Sequence, residues 1–343
     1  MAVVLVTGAT GFIGSNVTRA LINKGYEVRI LLRKKAVTKN VQGLPVEIFY
    51  GDILDVESLL KAMKGVDYVF HVAALFTFWY PNTDFIYKVN VEGTKNVMSC
   101  AIKTGVKRVV YTSTAGTCGA KTSPQEVVDE NHPFNLQHLG DAYLNSKFYA
   151  EKVAREFVEK GLDVVIVNPT APLGMGDVRP TPTGFFFLKF LNGEIPGYLE
   201  GGGNFVNVKD VAEGHILALE RGKSGEKYIL GGVNMTMKDF LTKVAEIAGL
   251  PLPRVKIPYP LAWLYALYSE AKALFDRENP PLLTRAILRG TGYYLYVSCE
   301  KARKELGYNP SSIESGIRDE ISWFLRNGYI KEKMERFLKL KGF

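Results

Sequence analysis

The first half of the chain alternates short apolar runs with stretches of helical period. Residues 3–7, 28–32, 46–50, 66–72, 109–112 and 164–168 are apolar runs of strand length. Between them, 12–23, 56–63, 84–104 and 143–160 have helical patterns. In 12–23, for instance, Ile13, Val17, Ala20 and Leu21 fall on one face. Strands that are apolar throughout and separated by helices predict crossover connections. The sheet is then parallel and covered on both faces, in an α/β, doubly wound fold.

After Asn168 the pattern changes. Pro169, Pro172, Pro180, Pro182 and Pro196, with Gly174, Gly176 and Gly184, mark a loop-rich stretch. Helices are expected at 237–248, with Thr236 as N-cap and Asp239 three residues on, and at 262–275 and 313–326. Residues 205–208, after Gly201–Asn204, are expected to return the chain to the main sheet. The expected division is one domain at 1–170 with a return near 205–222. A smaller, partly helical substrate-binding domain takes 171–204 and 223–343.

The composition narrows the classes. With 343 residues, 47% hydrophobic and 23% charged, the chain is neither disordered nor fibrous. Its net charge of +8 is local. Arg33, Lys34, Lys35 and Lys39 have no acid among them, and residues 326–343 form a second basic cluster. A nucleic-acid binder needs a broad basic face with interleaved aromatics, so no nucleic-acid partner is expected. Cys100, Cys118 and Cys299 have neither metal-ligand spacing nor a disulfide pattern, so no metal is expected. No basic segment precedes Val3–Val6, and no apolar run reaches the ~18 residues of a spanning helix, so a cytoplasmic location is expected. Trp263, Tyr265 and Tyr268 on an apolar helix, and the basic amphipathic stretch 330–343, would suit a membrane surface. Docking of both on the core is the weightier expectation, so membrane contact is not expected.

The first strand runs into Thr7-Gly8-Ala9-Thr10-Gly11-Phe12-Ile13-Gly14. Gly8 permits the tight turn, Gly11 lets a pyrophosphate approach the backbone, and Gly14 lets the helix pack close to the sheet. The amides of Phe12 and Ile13 open the helix, where unpaired N–H groups attract an anion. Strand, glycine turn and helix together predict a dinucleotide site and a Rossmann-type domain. The second strand ends in Arg33-Lys34-Lys35, not in an acid. An acid there would serve the ribose hydroxyl of NAD(H). A guanidinium binds the extra phosphate of NADP(H), which is therefore the preferred cofactor, with NAD(H) as the alternative. Asp52 and Ile53, after the third strand, are placed to meet adenine.

Asp141-Ala142-Tyr143-Leu144-Asn145-Ser146-Lys147 opens a helix, and Tyr143 and Lys147 share one face. A phenol of pKa ~10 is a poor acid–base near neutrality, and a nearby ammonium favours its phenolate. Tyr143 thereby becomes a usable proton donor and acceptor. Thr114, just past the 109–112 strand, offers a hydroxyl in the crevice where such sheets bind ligands.

These motifs together resemble the extended short-chain dehydrogenase/reductase family, over nearly the whole chain. The resemblance implies Tyr143 as acid–base and Lys147 on the nicotinamide ribose, with Thr114 standing for the commoner Ser. It also implies Ala73 and Ala74, in His71-Val72-Ala73-Ala74, and Pro169 beside the cofactor. Asn90 resembles the family's structural Asn, and 205–212 its late strand-to-helix element. The helical stretches 84–104 and 143–160 resemble its dimer-forming pair, which implies a homodimer. Thr112–Thr117 and Arg33 resemble dihydroflavonol 4-reductase-like enzymes. Residues 167–174, 180–184 and 228–232 resemble the hopanoid-associated sugar epimerase group. No Arg precedes 205–208 to clamp a diphosphate, no Arg precedes Asn168, and Ser113 and Ala115 flank Thr114 where 4,6-dehydratases carry acids.

The expected activity is therefore reduction of a small apolar or aromatic ketone or aldehyde. NADPH is the hydride donor, Tyr143 protonates the oxygen and Thr114 orients it. An epimerase or dehydratase of a sugar or lipid-linked sugar is second. A silent cofactor-binding regulator would have lost Tyr143 or Lys147, and both are present. Phe76, Phe78, Trp79 and Tyr80, then Thr170, Phe185, Phe186 and Phe187, are the candidate substrate contacts.

Overall fold

The computed structural model describes residues 1–343 except 78, 79, 81, 196, 253, 254, 276–280 and 282. Phe78, Trp79 and Pro196 thus lie outside the described residues. Ten strands form two sheets. They are β1 (Val3–Thr7), β2 (Glu27–Leu32), β3 (Val46–Tyr50), β4 (Tyr68–His71), β5 (Arg108–Thr112), β6 (Val164–Pro169), β7 (Ala171–Leu173), β8 (Gly202–Asn207), β9 (Lys227–Leu230) and β10 (Val233–Thr236).

The main sheet is parallel, in the order β3-β2-β1-β4-β5-β6-β9. Side chains alternate between its faces, which is why β1 reads as continuously apolar. Val4 and Val6 pack in one layer with Val17, Leu21 and Ile216. Leu5 packs in the other with Leu59, Met98 and Ala154. The strand order reverses between β1 and β4, which opens a crevice at the C-terminal ends of these strands.

The small sheet, β10-β8-β7, supports a third core in which Phe205 stacks on Phe240 at 3.9 Å. This corrects one expectation. Residues 205–207 do not rejoin the main sheet; β8 pairs with β7 and β10. The chain returns instead through helix Val208–Arg221 and β9, which pairs with β6. β9 lies within the stretch assigned from sequence to the second domain. The long helix expected at 84–104 is three successive pieces, Thr83–Tyr87, a wider turn at Lys88–Glu92, and Gly93–Thr104. That wider turn carries Asn90. Helix Met237–Ala248 is capped as its sequence demands, with Thr236 Oγ1 accepting from Asp239 N at 3.0 Å.

Two acids are buried where β7 leaves for the second layer. Glu320 Oε2 accepts from Gly174 N at 2.5 Å. Asp177 accepts from Thr181 N and Oγ1 at 2.9 and 3.0 Å. Gly184 makes room for them, since a Cβ there would stand 1.9 Å from Asp177 Oδ2. Burial pushes Asp177 up to about 7. Burial, then the neighbouring Asp177, pushes Glu320 well above the carboxylate range. An acid whose pKa rises on folding holds its proton more tightly folded than unfolded. The contribution of this acid pair to stability is therefore greatest at low pH and is lost as pH climbs from the usual carboxylate range through 7 and above. Asp177→Asn is expected to flatten that decline. Its Tm relative to the parent should improve between about pH 5 and pH 8, by roughly 2–4 °C per kcal/mol relieved. Thermal unfolding across that range checks this, and parallel Tm curves for the two proteins would exclude it.

Candidate active site

The glycine turn is fixed by close packing. Gly8 has φ +76°, and a Cβ on it would lie 2.6 Å from Ala73 N. A Cβ on Gly14 would lie 2.1 Å from the Gly8 carbonyl oxygen. Helix Phe12–Asn23 begins at Gly11, and among the described residues no side chain caps its first turn and no acid lies in it. The turn therefore presents unsatisfied amides beside a backbone cradle, which fits a pyrophosphate. The loop after β7 closes over it. Asn40 Nδ2 donates to Gly176 O at 2.6 Å, and Asn16 Nδ2 to Met175 O at 2.9 Å.

Arg33, Lys34, Lys35 and Lys39 follow β2 and are exposed, with no ion-pair partner among the described residues. Asp52 follows β3, and its Oδ1 accepts from Leu54 N at 3.0 Å. Ile53 is buried, its side chain lodged against Gly93, where a Cβ would meet it at 2.5 Å. Its side chain thus belongs to the core.

Behind the crevice runs a chain of buried hydrogen bonds. Ala73 N donates to Thr7 Oγ1 at 3.3 Å, and Thr7 Oγ1 pairs with His71 Nδ1 at 2.8 Å. His71 Nε2 pairs with Thr94 Oγ1 at 3.1 Å, and Thr94 Oγ1 donates to Asn90 O at 2.6 Å. Thr94 spends its one proton on Asn90 O, so His71 carries its proton on Nε2 and accepts at Nδ1. Burial, then the Lys147 charge, drives His71 down to about 3, so it stays neutral. Asn90 holds both backbone groups of Leu75, accepting from N at 2.7 Å and donating to O at 3.2 Å. Its Nδ2 also donates to Ser146 Oγ at 2.8 Å, which donates to Tyr143 O at 2.8 Å.

Tyr143 lies in the first turn of helix Ala142–Glu159, capped by Asp141 Oδ1 on Leu144 N at 3.0 Å. Its ring meets Phe76 at 4.5 Å between centroids. Burial, then the Asp141 charge, raises its phenol above the ordinary value, while the Thr114 hydroxyl pulls it down. The phenol is therefore held protonated, which corrects the expectation from sequence that a nearby ammonium favours the phenolate: burial prevails. Lys147, one turn on, is also buried. Its Nζ donates to Thr112 O at 2.6 Å and stands 4.6 Å over the Tyr111 ring. Burial lowers it to about 7 against the pull of Glu151. The structure thus brings Tyr143, Thr114 and Phe76 together, with Lys147 beneath them.

Glu151 is the residue that sequence reasoning missed. Its buried Oε2 accepts from Ser113 Oγ at 2.9 Å, Thr117 Oγ1 at 2.8 Å and Asn168 Nδ2 at 3.2 Å. Asn168 Nδ2 also donates to Thr114 O at 3.0 Å, so Glu151 supports the Thr114 turn from below. The only signal was an acid four residues after Lys147 on the same helical face.

The other candidates separate. Pro169 ends β6, and the buried Thr170 Oγ1 beside it has no partner among the described residues. Ala73 and Ala74 follow β4, with Ala73 beside Gly8. Tyr80 stacks on Phe85 at 5.7 Å. Phe185, on helix Pro182–Leu191, is half-buried with Lys189 Nζ 5.2 Å over its ring. Phe187 is core, between Phe240 and Phe324, and Phe186 packs against the same core. A cleft of about 340 Å³ borders the Tyr143 turn, lined by Thr77, Tyr80, Asp141, Glu270, Arg285 and Arg289 among others. Among the described residues no cluster of His, Cys, Asp or Glu could hold a metal ion.

The chain is similar to known proteins over most of its length. The NAD dependent epimerase/dehydratase family matches residues 4–231. A Synechocystis sp. protein assigned as a dihydroflavonol 4-reductase is 38% identical over 330 residues, covering 95% of each chain. Sterol demethylase protein B of Methylococcus capsulatus is 34% identical, covering 95% of this chain and 99% of its own. The crystal structure of gox2253 superposes with a TM-score of 0.85 at 42% identity, covering 96% of this chain and 100% of its own. The chain belongs to the NAD-dependent epimerase/dehydratase family, enzymes of the extended short-chain dehydrogenase/reductase type.

Proposed function

We propose that the chain is an NADP(H)-dependent reductase of a ketone or aldehyde on an apolar or aromatic substrate. The observation that carries this is the Tyr143 phenol, held protonated between the Thr114 hydroxyl and the Phe76 ring. Reduction of a carbonyl needs a proton donor at the developing alkoxide, and a buried phenol of raised pKa is one. Thr114 orients the oxygen, and Phe76 gives that side an apolar wall.

In this proposal Gly8, Thr10, Gly11, Phe12, Ile13 and Gly14 hold the pyrophosphate. Arg33 and Lys34 hold the ribose phosphate, with Asp52 toward adenine. Ala73, Ala74, Lys147 and Pro169 line the nicotinamide half. When bound, the reduced nicotinamide supplies the hydride. Lys147 holds a positive charge next to the site, and its pKa of about 7 lets that charge respond near neutrality.

Two observations weigh against a nucleotide-sugar substrate. Of the guanidiniums bordering the cleft, Arg285 is committed to Glu270 at 2.7 Å and Arg289 donates to Leu139 O at 3.1 Å. A diphosphate would have to displace those contacts. Glu151, the carboxylate bonded to Ser113 and Thr117, is buried and already accepts from three donors, so it is not poised for dehydratase acid–base work. The names of two relatives, a dihydroflavonol reductase and a sterol demethylase protein, point toward apolar polycyclic substrates.

Two measurements test this. Tyr143→Phe should keep NADPH affinity, by fluorescence titration, and lose about 10²–10⁴-fold in turnover; a fully active variant would end the mechanism. Arg33→Ser should weaken NADPH about tenfold or more and leave NADH unchanged. Equal or tighter binding of NADH by the parent would end the NADP(H) assignment.

A further inference from the structure

Lys147 and Glu151 hold the same short segment from one helix. Lys147 Nζ takes the carbonyl of Thr112, the last residue of β5, at 2.6 Å. Glu151 Oε2 takes the hydroxyls of Ser113 and Thr117 at 2.9 and 2.8 Å. Thr114, whose hydroxyl meets Tyr143, lies between these two holds. Residues four apart share one helical face, so both side chains reach the end of β5 together.

The proton count there requires a charged Glu151. Thr117 has one hydroxyl proton and two acceptors within reach, Glu151 Oε2 and Thr114 O, at 2.8 Å each. Asn168 Nδ2 supplies Thr114 O at 3.0 Å, which frees the Thr117 proton for the carboxylate. Ser113 Oγ donates to the same oxygen. A neutral acid would bring a further proton into this ring of donors, whereas a carboxylate accepts from all of them. The other oxygen, Oε1, faces Lys227 of β9 at 3.5 Å and Arg155 of its own helix at 3.7 Å. Glu151 thus stays ionised although it is buried.

That negative charge also reaches the reacting side of the helix. Lys147 is faced by Tyr111 of β5, His71 of β4, and Tyr143 and Glu151 of its own helix. Burial keeps both phenols protonated and His71 neutral. Of these four groups Glu151 alone carries a charge, and it opposes the burial that would strip Lys147 of its proton.

We propose that Glu151 is a positioning residue for the reaction: one buried carboxylate both sets the charge on Lys147 and fixes the place of the Thr114 hydroxyl. Its consequence for turnover rests on the proposed reductase activity; the titration of Lys147 does not. A purely structural Glu151 would hold the Thr114 turn and leave Lys147 to its burial.

The test is an NMR pH titration of the Lys147 side chain in the full chain labelled with isotopic lysine, its signal assigned by its loss in Lys147→Arg. Parent, Glu151→Gln and Glu151→Asp are compared, with NADPH-dependent thermal stabilisation as the check of folding. The parent midpoint is expected near neutrality, and that of Glu151→Gln lower by about one unit or more. Glu151→Asp keeps the charge and is expected to stay nearer the parent. Ketone reduction that needs charged Lys147 falls as pH climbs through that midpoint, so the falling limb of kcat/KM should move to lower pH in Glu151→Gln. A folded Glu151→Gln with the parent's midpoint would overturn the proposal, as would a turnover loss equal at every pH with no shift. So would a parent whose Lys147 is uncharged even below about pH 5. Should Glu151→Gln not fold, Glu151→Ala takes its place with formate, which can enter through the cleft of about 310 Å³ that Glu151 lines. Formate is expected to raise the Lys147 midpoint, and a midpoint indifferent to formate would overturn the proposal. If no ketone is reduced by the parent, the reductase activity fails while the titration still judges Glu151.

Discussion

A single run of buried hydrogen bonds holds the site together. It starts at the backbone of Ala73, passes through Thr7, His71, Thr94, Asn90 and Ser146, and ends on the carbonyl of Tyr143. These groups come from β1, β4, the stretch 83–104 and the helix of Tyr143, which are distant in sequence. The chain has only one direction in which all its protons are used, and that direction requires neutral His71. Burial, which drives its pKa down to about 3, keeps it in that state near neutrality. The turn of Gly8, packed against Ala73, and the turn of Tyr143 are thereby held in one register. A missing link would leave a buried donor or acceptor unsatisfied, at a cost of about 1–3 kcal/mol.

Around that run the fold keeps expensive groups. Lys147 and Glu151 are both buried on one helix, and neither gains its stability from water. Glu151 has three hydrogen-bond donors, with Lys227 and Arg155 at 3.5 and 3.7 Å. Its carboxyl consequently stays below the usual range even though burial opposes ionisation. Lys147 has one carbonyl and one aromatic face, and burial prevails. Such unequal treatment of two neighbouring charges separates a supporting group from one poised to act. The same economy appears at the phosphate turn, where space for any side chain is removed so that backbone amides face the crevice.

What could be read from sequence was whatever depends on local spacing. Gly8, Gly11 and Gly14 carry their reasons in their positions, and the cap of Thr236 on Asp239 needs only a spacing of three residues. Tyr143 and Lys147 declare themselves by sharing one helical face. Phe76 and Phe187 were equal candidates, because nothing local distinguishes an aromatic over the catalytic phenol from one between Phe240 and Phe324. The destination of residues 205–208 was illegible for a related reason: an apolar run of strand length does not state which sheet it joins. Glu151 was invisible because its partners, Ser113, Thr117 and Asn168, come together only when β5 and β6 pair. Helix Tyr259–Phe275 was readable as apolar, but not that Ala262, Ala266, Ser269 and Ala273 are the residues it buries.

The stoichiometry of cofactor to product tests the central claim most directly. An aromatic ketone incubated with the protein and NADPH should yield one NADP+ for each alcohol formed, followed by mass spectrometry of both. An epimerase returns its cofactor unchanged after every turnover. Conversion of a UDP-sugar with no net change in the nicotinamide, and no alcohol from any ketone, would contradict the account.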